Sequence, residues 1–327
     1  MKPILIITSN PDPHADQVES LLESVGVNTI RLVTNKFSSD SYLGYSSPKN
    51  QTYIKHKSHT YFPDDFHSVW YRKPELWLAN RLPLKSTAGL IYKFRKGEIN
   101  QMLKQFMLES ENIGIFTVSK TSNIEKARNK LSQLTQASEL GFVTPKTLVS
   151  SSPNEISLFL KNLGSCIIKT LGTSYVEYGR KQMNFFTYPI NSEMFLKFRN
   201  GMLFDQPIYI QENIFKKFEL RITLVGNKSF TCAIDSQILD ESATDWRTVQ
   251  PEILPHSVFK LPIKVENLCQ QLRVKMGLEY CAIDMAVTPE NKYVFFEINP
   301  NGQYLWIEEQ TKLPISQAIS NLLRYHN

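Results

Sequence analysis

The chain has 327 residues, 42% hydrophobic and 21% charged, the balance of a globular protein with room for two or three cores. No apolar run approaches the roughly 20 residues that cross a bilayer, and the N-terminal run is too short for a signal peptide, so a membrane protein is excluded. The net charge of +6, 37 basic against 31 acidic residues, gathers into no basic stripe. It excludes a nucleic-acid partner and suits an anionic ligand or a plain solvated surface.

Residues 3–8 read as a buried first strand, and 15–26 as a helix with Val18, Leu21, Leu22 and Val25 on one face and Gly26 ending it. A strand is predicted over 28–33, a hairpin or edge strands over 36–61, and another strand over 68–72 that runs into Lys73-Pro74. A long helix is expected over 93–111, and a strand or linker over 112–119 closes this unit. A second unit opens with one helix over 123–140, capped by Ser122, with Ile124, Ala127, Leu131, Leu134 and Leu140 on its apolar face. A short strand follows over 142–149. Ser152-Pro153-Asn154-Glu155 then starts a helix that ends at Gly164, since a cap, a proline at the first turn and a glutamate at the third position form an N-terminal signature.

Strands are expected at 166–171 and, as a longer polar one, through Phe185-Phe186-Thr187-Tyr188, with a helix over 192–200. The last unit is strand-rich: 207–213, then 219–225 and 229–235 joined at Gly226-Asn227, a helix over 264–276, strands 280–287 and 292–299, and a closing helix over 314–324. Cys166, Cys232, Cys269 and Cys281 form no CxxC pair, so free thiols in a reducing cytoplasm are expected rather than a cysteine metal site. His56, His59 and His67 lie in a Lys-rich, loop-like stretch that does not suit zinc.

Three groups of residues carry chemistry. Asp284 sits on one strand; Glu297 and Asn299 share one face of the next, because strand side chains alternate. A hairpin brings their oxygens together, with Cys281, Ile283 and Met285, and on the partner Val294, Phe296 and Ile298, on the opposite face. Two carboxylates and an amide oxygen form a hard donor set suited to Mg²⁺; an exposed polar face reads the same way. Lys169 ends a buried strand before Thr170-Leu171-Gly172-Thr173, where a lysine can hold phosphate, and Lys130 flanks the helix stripe; each alone also describes a surface lysine. Glu219 and Arg221 share one strand face, suited to ribose and phosphate or to a plain ion pair.

In this order the segments resemble the ATP-grasp superfamily, in the branch of RimK-like glutamate ligases: helix lysine, strand lysine, Gln211-Glu212 hinge, Glu219-x-Arg221, Asp284 and Glu297-x-Asn299. Within it the chain is similar to the maturases of graspetides, the microviridin-type ω-ester and ω-amide peptides. Trp70-Tyr71-Arg72-Lys73-Pro74, Asp245-Trp246-Arg247 and the Asn299-Pro300-x-Gly302-x-x-x-Trp306 run carry that likeness.

The resemblance implies an α/β ATP-grasp fold. It would comprise a Rossmann-like pre-ATP-grasp domain over 1–118, a central lid domain over 119–205 and a C-terminal domain with an antiparallel sheet over 206–327. It implies that Lys130 and Lys169 contact ATP phosphates, that Gln211, Glu212 and Ile214 line the adenine hinge, and that Glu219 takes the ribose. Arg221 would steady the γ-phosphate, Asp284, Glu297 and Asn299 would hold Mg²⁺, Arg247 would meet the substrate carboxylate or acyl phosphate, and Arg72 would line a peptide channel. The partner would be a ribosomal precursor peptide, leader plus core, its leader docking around 181–192. Homodimers are frequent in the family. The implied reaction is ADP-forming peptide macrocyclisation through an acyl phosphate. An amino-acid or small-molecule carboxylate–amine ligase and a non-catalytic ATP-binding protein stand as alternatives. Where many ATP-grasp enzymes close a glycine-rich loop, residues 171–180 hold only Gly172 and Gly179.

Overall fold

A computed structural model describes residues 1–38, 41–74, 87–172, 175–178, 181–198 and 206–326. Gly179 and the last two residues of the helix expected over 192–200 lie outside them.

The first sheet is parallel. β1 (Ile4–Thr8) leads through α1 (Pro13–Ser24) to β2 (Thr29–Val33), and Asp12 caps α1 by accepting the amides of His14 and Ala15. A three-stranded antiparallel insertion follows: β3 (Ser41–Ser46), β4 (Gln51–His56) and β5 (His59–Tyr61). β6 (Ser68–Lys73), α2 (Thr87–Asn112) and β7 (Phe116–Val118) complete the order β2-β1-β6-β7. Every residue of β1 is buried, as a parallel strand covered on both faces requires. Leu5, Ile7 and Val69 pack against Leu103, Phe106 and Met107 of α2, while Ile4, Ile6 and Trp70 face α1 and the C-terminal helix.

The helix expected over 123–140 is two helices, α3 (Thr121–Ala127) and α4 (Lys130–Glu139). The break has a local cause: Asn129 accepts the Ser132 amide at 3.0 Å and so caps a new helix, with Lys130 as its first residue. Leu131, read as part of the apolar stripe, is consequently exposed. Next come β8 (Thr147–Ser150), α5 (Pro153–Leu163) and β9 (Cys166–Lys169). The long polar strand expected through residue 188 is instead a separate hairpin, β10 (Tyr175–Tyr178) with β11 (Lys181–Asn184), then β12 (Tyr188–Ile190). After α6 (Ser192–Phe198), β13 (Ile208–Glu212) joins the antiparallel order β12-β9-β13-β8. Sheet membership therefore places β13 with the central unit, not with the last unit to which the sequence assigned it.

The third sheet holds β14 (Phe218–Val225) and β15 (Lys228–Ile234), the short α7 (Asp240–Thr244), β16 (His256–Val258), α8 (Ile263–Lys275), β17 (Tyr280–Val287) and β18 (Tyr293–Asn299), in the order β16-β15-β14-β17-β18. One face packs Leu220, Ile222, Cys281, Ile283 and Met285 against α3, α4 and α8. α9 (Leu305–Thr311) and α10 (Ile315–Tyr325) end the chain, and α10 returns to pack on α1, β6 and β7 of the first sheet.

Edge strand β18 is closed by the Val143 carbonyl, which accepts the Phe295 amide at 2.9 Å, and by one side chain. Gln133 of α4 donates to the Ile298 carbonyl at 2.9 Å and accepts the Ile298 amide at 3.1 Å, standing in for the strand the edge lacks. Gln133→Leu is expected to cost roughly 2–3 kcal/mol, because both groups are left buried and unpaired. Urea unfolding of the two proteins measures it.

Candidate active site

The central sheet and the third sheet face one another across a cleft of about 760 Å³, which includes its open mouth. Its floor is the second face of the third sheet. Register aligns Arg221 with Asp284 across β14 and β17, and Asp284 with Glu297 across β17 and β18, so three charged side chains stand in a row. Ala282 pairs with Asn299 one step along the same face. Arg221 clasps Asp284 through Nη1, 2.9 Å to Oδ1 and 2.7 Å to Oδ2.

A register shift between Asp284 and Met285 skips Phe296, leaving it as the extra residue of a bulge. This corrects the strict alternation read from the sequence. Phe295 enters the core beside Phe142, and Phe296 turns toward the cleft with Lys169 Nζ 5.2 Å from its ring centroid.

Cations ring this floor. Lys130, fixed by the start of α4, donates to the Thr170 carbonyl at 2.7 Å. Lys169 closes β9; burial, with Arg247 and Lys130 adding to it, pulls its ammonium down to about 8 against the attraction of Glu297. Arg247 forks onto Asp245, Nε and Nη2 each donating at 2.8 Å, while its Nη1 lies 3.6 Å from Glu297. Burial alone would raise Glu297, but Arg247, Lys130, Lys169 and Arg221 together hold it below the ordinary carboxylate value. Asp284 goes the other way: burial and the neighbouring Glu297 push it up against the pull of Arg221. Two adjacent carboxylates of like charge gain from a cation placed between them.

Of the residues singled out in the sequence, Lys130, Lys169, Ile214, Glu219, Arg247, Asp284 and Glu297 line this cleft. Arg221 stands behind Asp284, and Asn299 sits at the rim, its Oδ1 accepting the Asn301 amide at 3.0 Å. The side chains of Gln211 and Glu212 are not on the cleft wall. Gln211 is fully buried and donates to Thr147 Oγ1 within the pairing of β13 with β8, and Glu212, paired with Cys166 of β9, accepts the Lys146 amide.

Arg72 is also elsewhere. It is 2% exposed and borders a second cleft of about 1070 Å³, shared by Asp12, His14, Gln303 and Trp306. Trp306 meets Trp246 of the first cleft with ring centroids 5.0 Å apart, so the two clefts share a wall.

Sequence reasoning missed two participants. Lys216 forms a buried ion pair with Glu219 at 2.8 Å, from a stretch with no pattern to mark it. Asp245 holds Arg247 and also accepts the Thr187 amide at 3.2 Å, linking the central sheet's loop to the third sheet. Its place in Asp-Trp-Arg was the available signal.

The profile of the MvdD pre-ATP grasp domain matches residues 3–125. A Chryseobacterium gregarium RiPP-associated ATP-grasp ligase, solved with ADP and a leader and core peptide, is similar over 100% of this chain and 98% of its own, at 28% identity and a TM-score of 0.87. Over its whole length the chain is similar to RiPP-associated ATP-grasp ligases. The macrocyclase MdnC from Microcystis aeruginosa MRC, bound with precursor peptide MdnA, is similar at 28% identity over 99% of both chains, TM-score 0.81. Macrocyclase MdnB of the same organism matches at 25% identity and 0.74, over 99% of this chain and 100% of its own. A search of the curated proteins found no match.

Gly302 is essential to the packing of the floor. A Cβ there would lie 2.8 Å from Arg221 Nη2 and 2.6 Å from the Ala282 Cβ. Gly302→Ala is expected to cost about 1–3 kcal/mol by overpacking and to weaken nucleotide binding by turning Arg221; urea unfolding and calorimetric titration with ADP check the two effects. Lys169 yields a pH signature. Its value near 8 means that the free site has lost part of its proton above that pH, and a phosphate beside it restores the ammonium. Nucleotide binding at pH about 8.5 is therefore expected to take up protons, measurable by calorimetry in buffers of different ionisation enthalpy.

Proposed function

We propose that this protein is an ATP-dependent peptide macrocyclase, forming ω-ester or ω-amide cross-links between side chains of a ribosomal precursor peptide. The observation that carries the reading is the convergence of Lys130, Lys169, Arg247, Asp284 and Glu297 on one cleft. The MdnC and Chryseobacterium gregarium relatives, solved with peptides, support it.

A carboxylate resists attack because its oxygen is a poor leaving group. Transfer of the ATP γ-phosphoryl group to a core-peptide Asp or Glu gives an acyl phosphate and ADP. A Ser or Thr hydroxyl, or a Lys amine, of the same peptide then displaces phosphate, so each ring costs the peptide one water. Lys130 and Lys169 would hold phosphate oxygens, and Arg221 would act through its grip on Asp284. Ile214 and Ile167 offer apolar walls for the base, beside the hinge at Gln211 and Glu212, with Glu219 for the ribose. Arg247 is placed to receive the peptide carboxylate, since Asp245 fixes its fork at the cleft wall.

Asp284, Glu297 and the Asn299 amide oxygen fit Mg²⁺. They are hard oxygen donors on one sheet face, and among the described residues no third His, Cys, Asp or Glu joins the two carboxylates. When bound, Mg²⁺ would neutralise charge on the phosphates. Asp245's bond to Thr187 would draw the central sheet over the cleft and exclude water. Residues 181–192, which include β11 and β12, are the proposed leader dock. The buried free thiols suit a reducing cytoplasm.

Phosphate release is expected to require ATP, Mg²⁺ and precursor peptide together, with mass spectrometry showing loss of one water per ring. Asp284→Asn and Glu297→Gln should each lower turnover at least ~100-fold while leaving the melting profile intact. A peptide that instead gains the mass of an amino acid, or turnover unaffected by both substitutions, overturns the reading.

A further inference from the structure

Residues 301–305 run between the two clefts, and side chains from outside the segment hold six of its ten polar backbone groups. Arg72 Nη1 donates to the Asn301 carbonyl at 3.0 Å. Tyr280 Oη donates to the Gly302 carbonyl at 2.7 Å, and Arg221 Nη2 to the Gln303 carbonyl at 3.2 Å. His14 Nε2 accepts both the Tyr304 and Leu305 amides, at 3.1 and 3.2 Å. Only a ring whose Nε2 carries no proton can do this, and burial, with Arg72 and Lys73 nearby, lowers the His14 pKa against the hydrogen bond that its Nδ1 donates to Asp12.

Two of these four anchors, His14 on α1 and Arg72 on β6, come from the N-terminal parallel-sheet unit rather than from the third sheet. They are themselves tied together. Asp12 caps α1, lies 3.4 Å from His14 Nδ1 and 3.8 Å from Arg72 Nε, and accepts Thr8 Oγ1 at 2.5 Å. The His14 ring also meets Tyr304 edge-on, with centroids 4.8 Å apart. At its start the same segment orients Asn299 through the Asn301 amide, and through Gln303 it holds the guanidinium that grips Asp284.

We infer that His14 and Arg72 are positioning residues, which set the Asn299–Asp284 end of the catalytic cleft from the N-terminal unit through the backbone of residues 301–305. The inference rests on the proposed Mg²⁺–nucleotide reading of that cleft. It explains why a buried arginine of the Trp-Tyr-Arg segment, at the border of the second cleft, donates to the backbone of residue 301. It also explains why the pre-ATP-grasp unit and the metal-side loop share one hydrogen-bond network. Neither residue lines the catalytic cleft, so their loss should act on metal-assisted binding and leave metal-free contacts in place.

The test is calorimetric binding of ADP to the full chain, once with EDTA and once with Mg²⁺, alongside thermal melting. For His14→Ala and Arg72→Ala the expected result is ADP affinity in EDTA within twofold of wild type, with the gain conferred by Mg²⁺ reduced at least fivefold. His14→Gln, which returns an amide oxygen as acceptor, should recover most of the gain. If either alanine variant does not fold, Arg72→Lys decides: it keeps the charge but not the fork that reaches both Asp12 and Asn301, and a folded Arg72→Lys protein should lose at least threefold of the Mg²⁺ gain. Folded variants with the wild-type Mg²⁺ gain overturn the inference alone. A wild-type chain that binds no nucleotide overturns the ligase reading and this inference with it.

Discussion

Arg221 and Asp284, joined at 2.7 Å in the floor of the cleft, form the contact on which the rest of the site is arranged. An ion pair this enclosed contributes little net stability, since desolvation of both charges offsets most of their attraction. Its consequence is positional. It holds one carboxylate upright beside Glu297 and makes Arg221 span from β14 to the backbone of residue 303. Gly302 has no side chain because that guanidinium passes where a Cβ would be. The charges above the floor are then set against one another: Lys169, weakened by its enclosure, and Glu297, kept ionised by four cations, leave a surface whose balance a triphosphate and a divalent ion would complete.

The scaffold explains how this floor is kept rigid while one wall is made from another sheet. The third sheet is anchored on its apolar face by α3, α4 and α8, and at its edge by Gln133. The opposite wall belongs to the central sheet, and Asp245 is a polar tie between the two, through Arg247 on one side and the Thr187 amide on the other. α10 carries the end of the chain back to the first sheet, so that one apolar cluster joins Ile4 and Trp70 with Tyr304 and Leu322. The N-terminal and C-terminal units are thus parts of one packed body around residues 301–305.

Much of this was legible in the residues themselves. Periodicity located β1, α1, β17 and β18, and the cap at Ser152 and the turn at Gly226-Asn227 lie where expected. Alternation correctly put Asp284 opposite Cys281, Ile283 and Met285, because a strand's faces follow from backbone geometry alone. It failed at Phe296, where a bulge inserts one residue and alternation no longer applies. It failed too at residues 123–140: an unbroken apolar stripe reads as one helix, and only the structure shows Asn129 capping a second one with Leu131 facing solvent.

Local sequence determined which segments become helices and strands, and the order of charged residues along them, since capping, turn chemistry and hydrophobic period act within a few residues. Which charges meet was decided only by the tertiary structure. The pairing of Lys216 with Glu219 depends on a shared burial, the membership of β13 on hydrogen bonds to β8 and β9, and the reach of His14 and Arg72 to residues 301–305 on the way α10 and the parallel sheet pack. Those contacts join residues up to 291 positions apart. Their energies come from desolvation and geometry that exist only once the sheets are assembled.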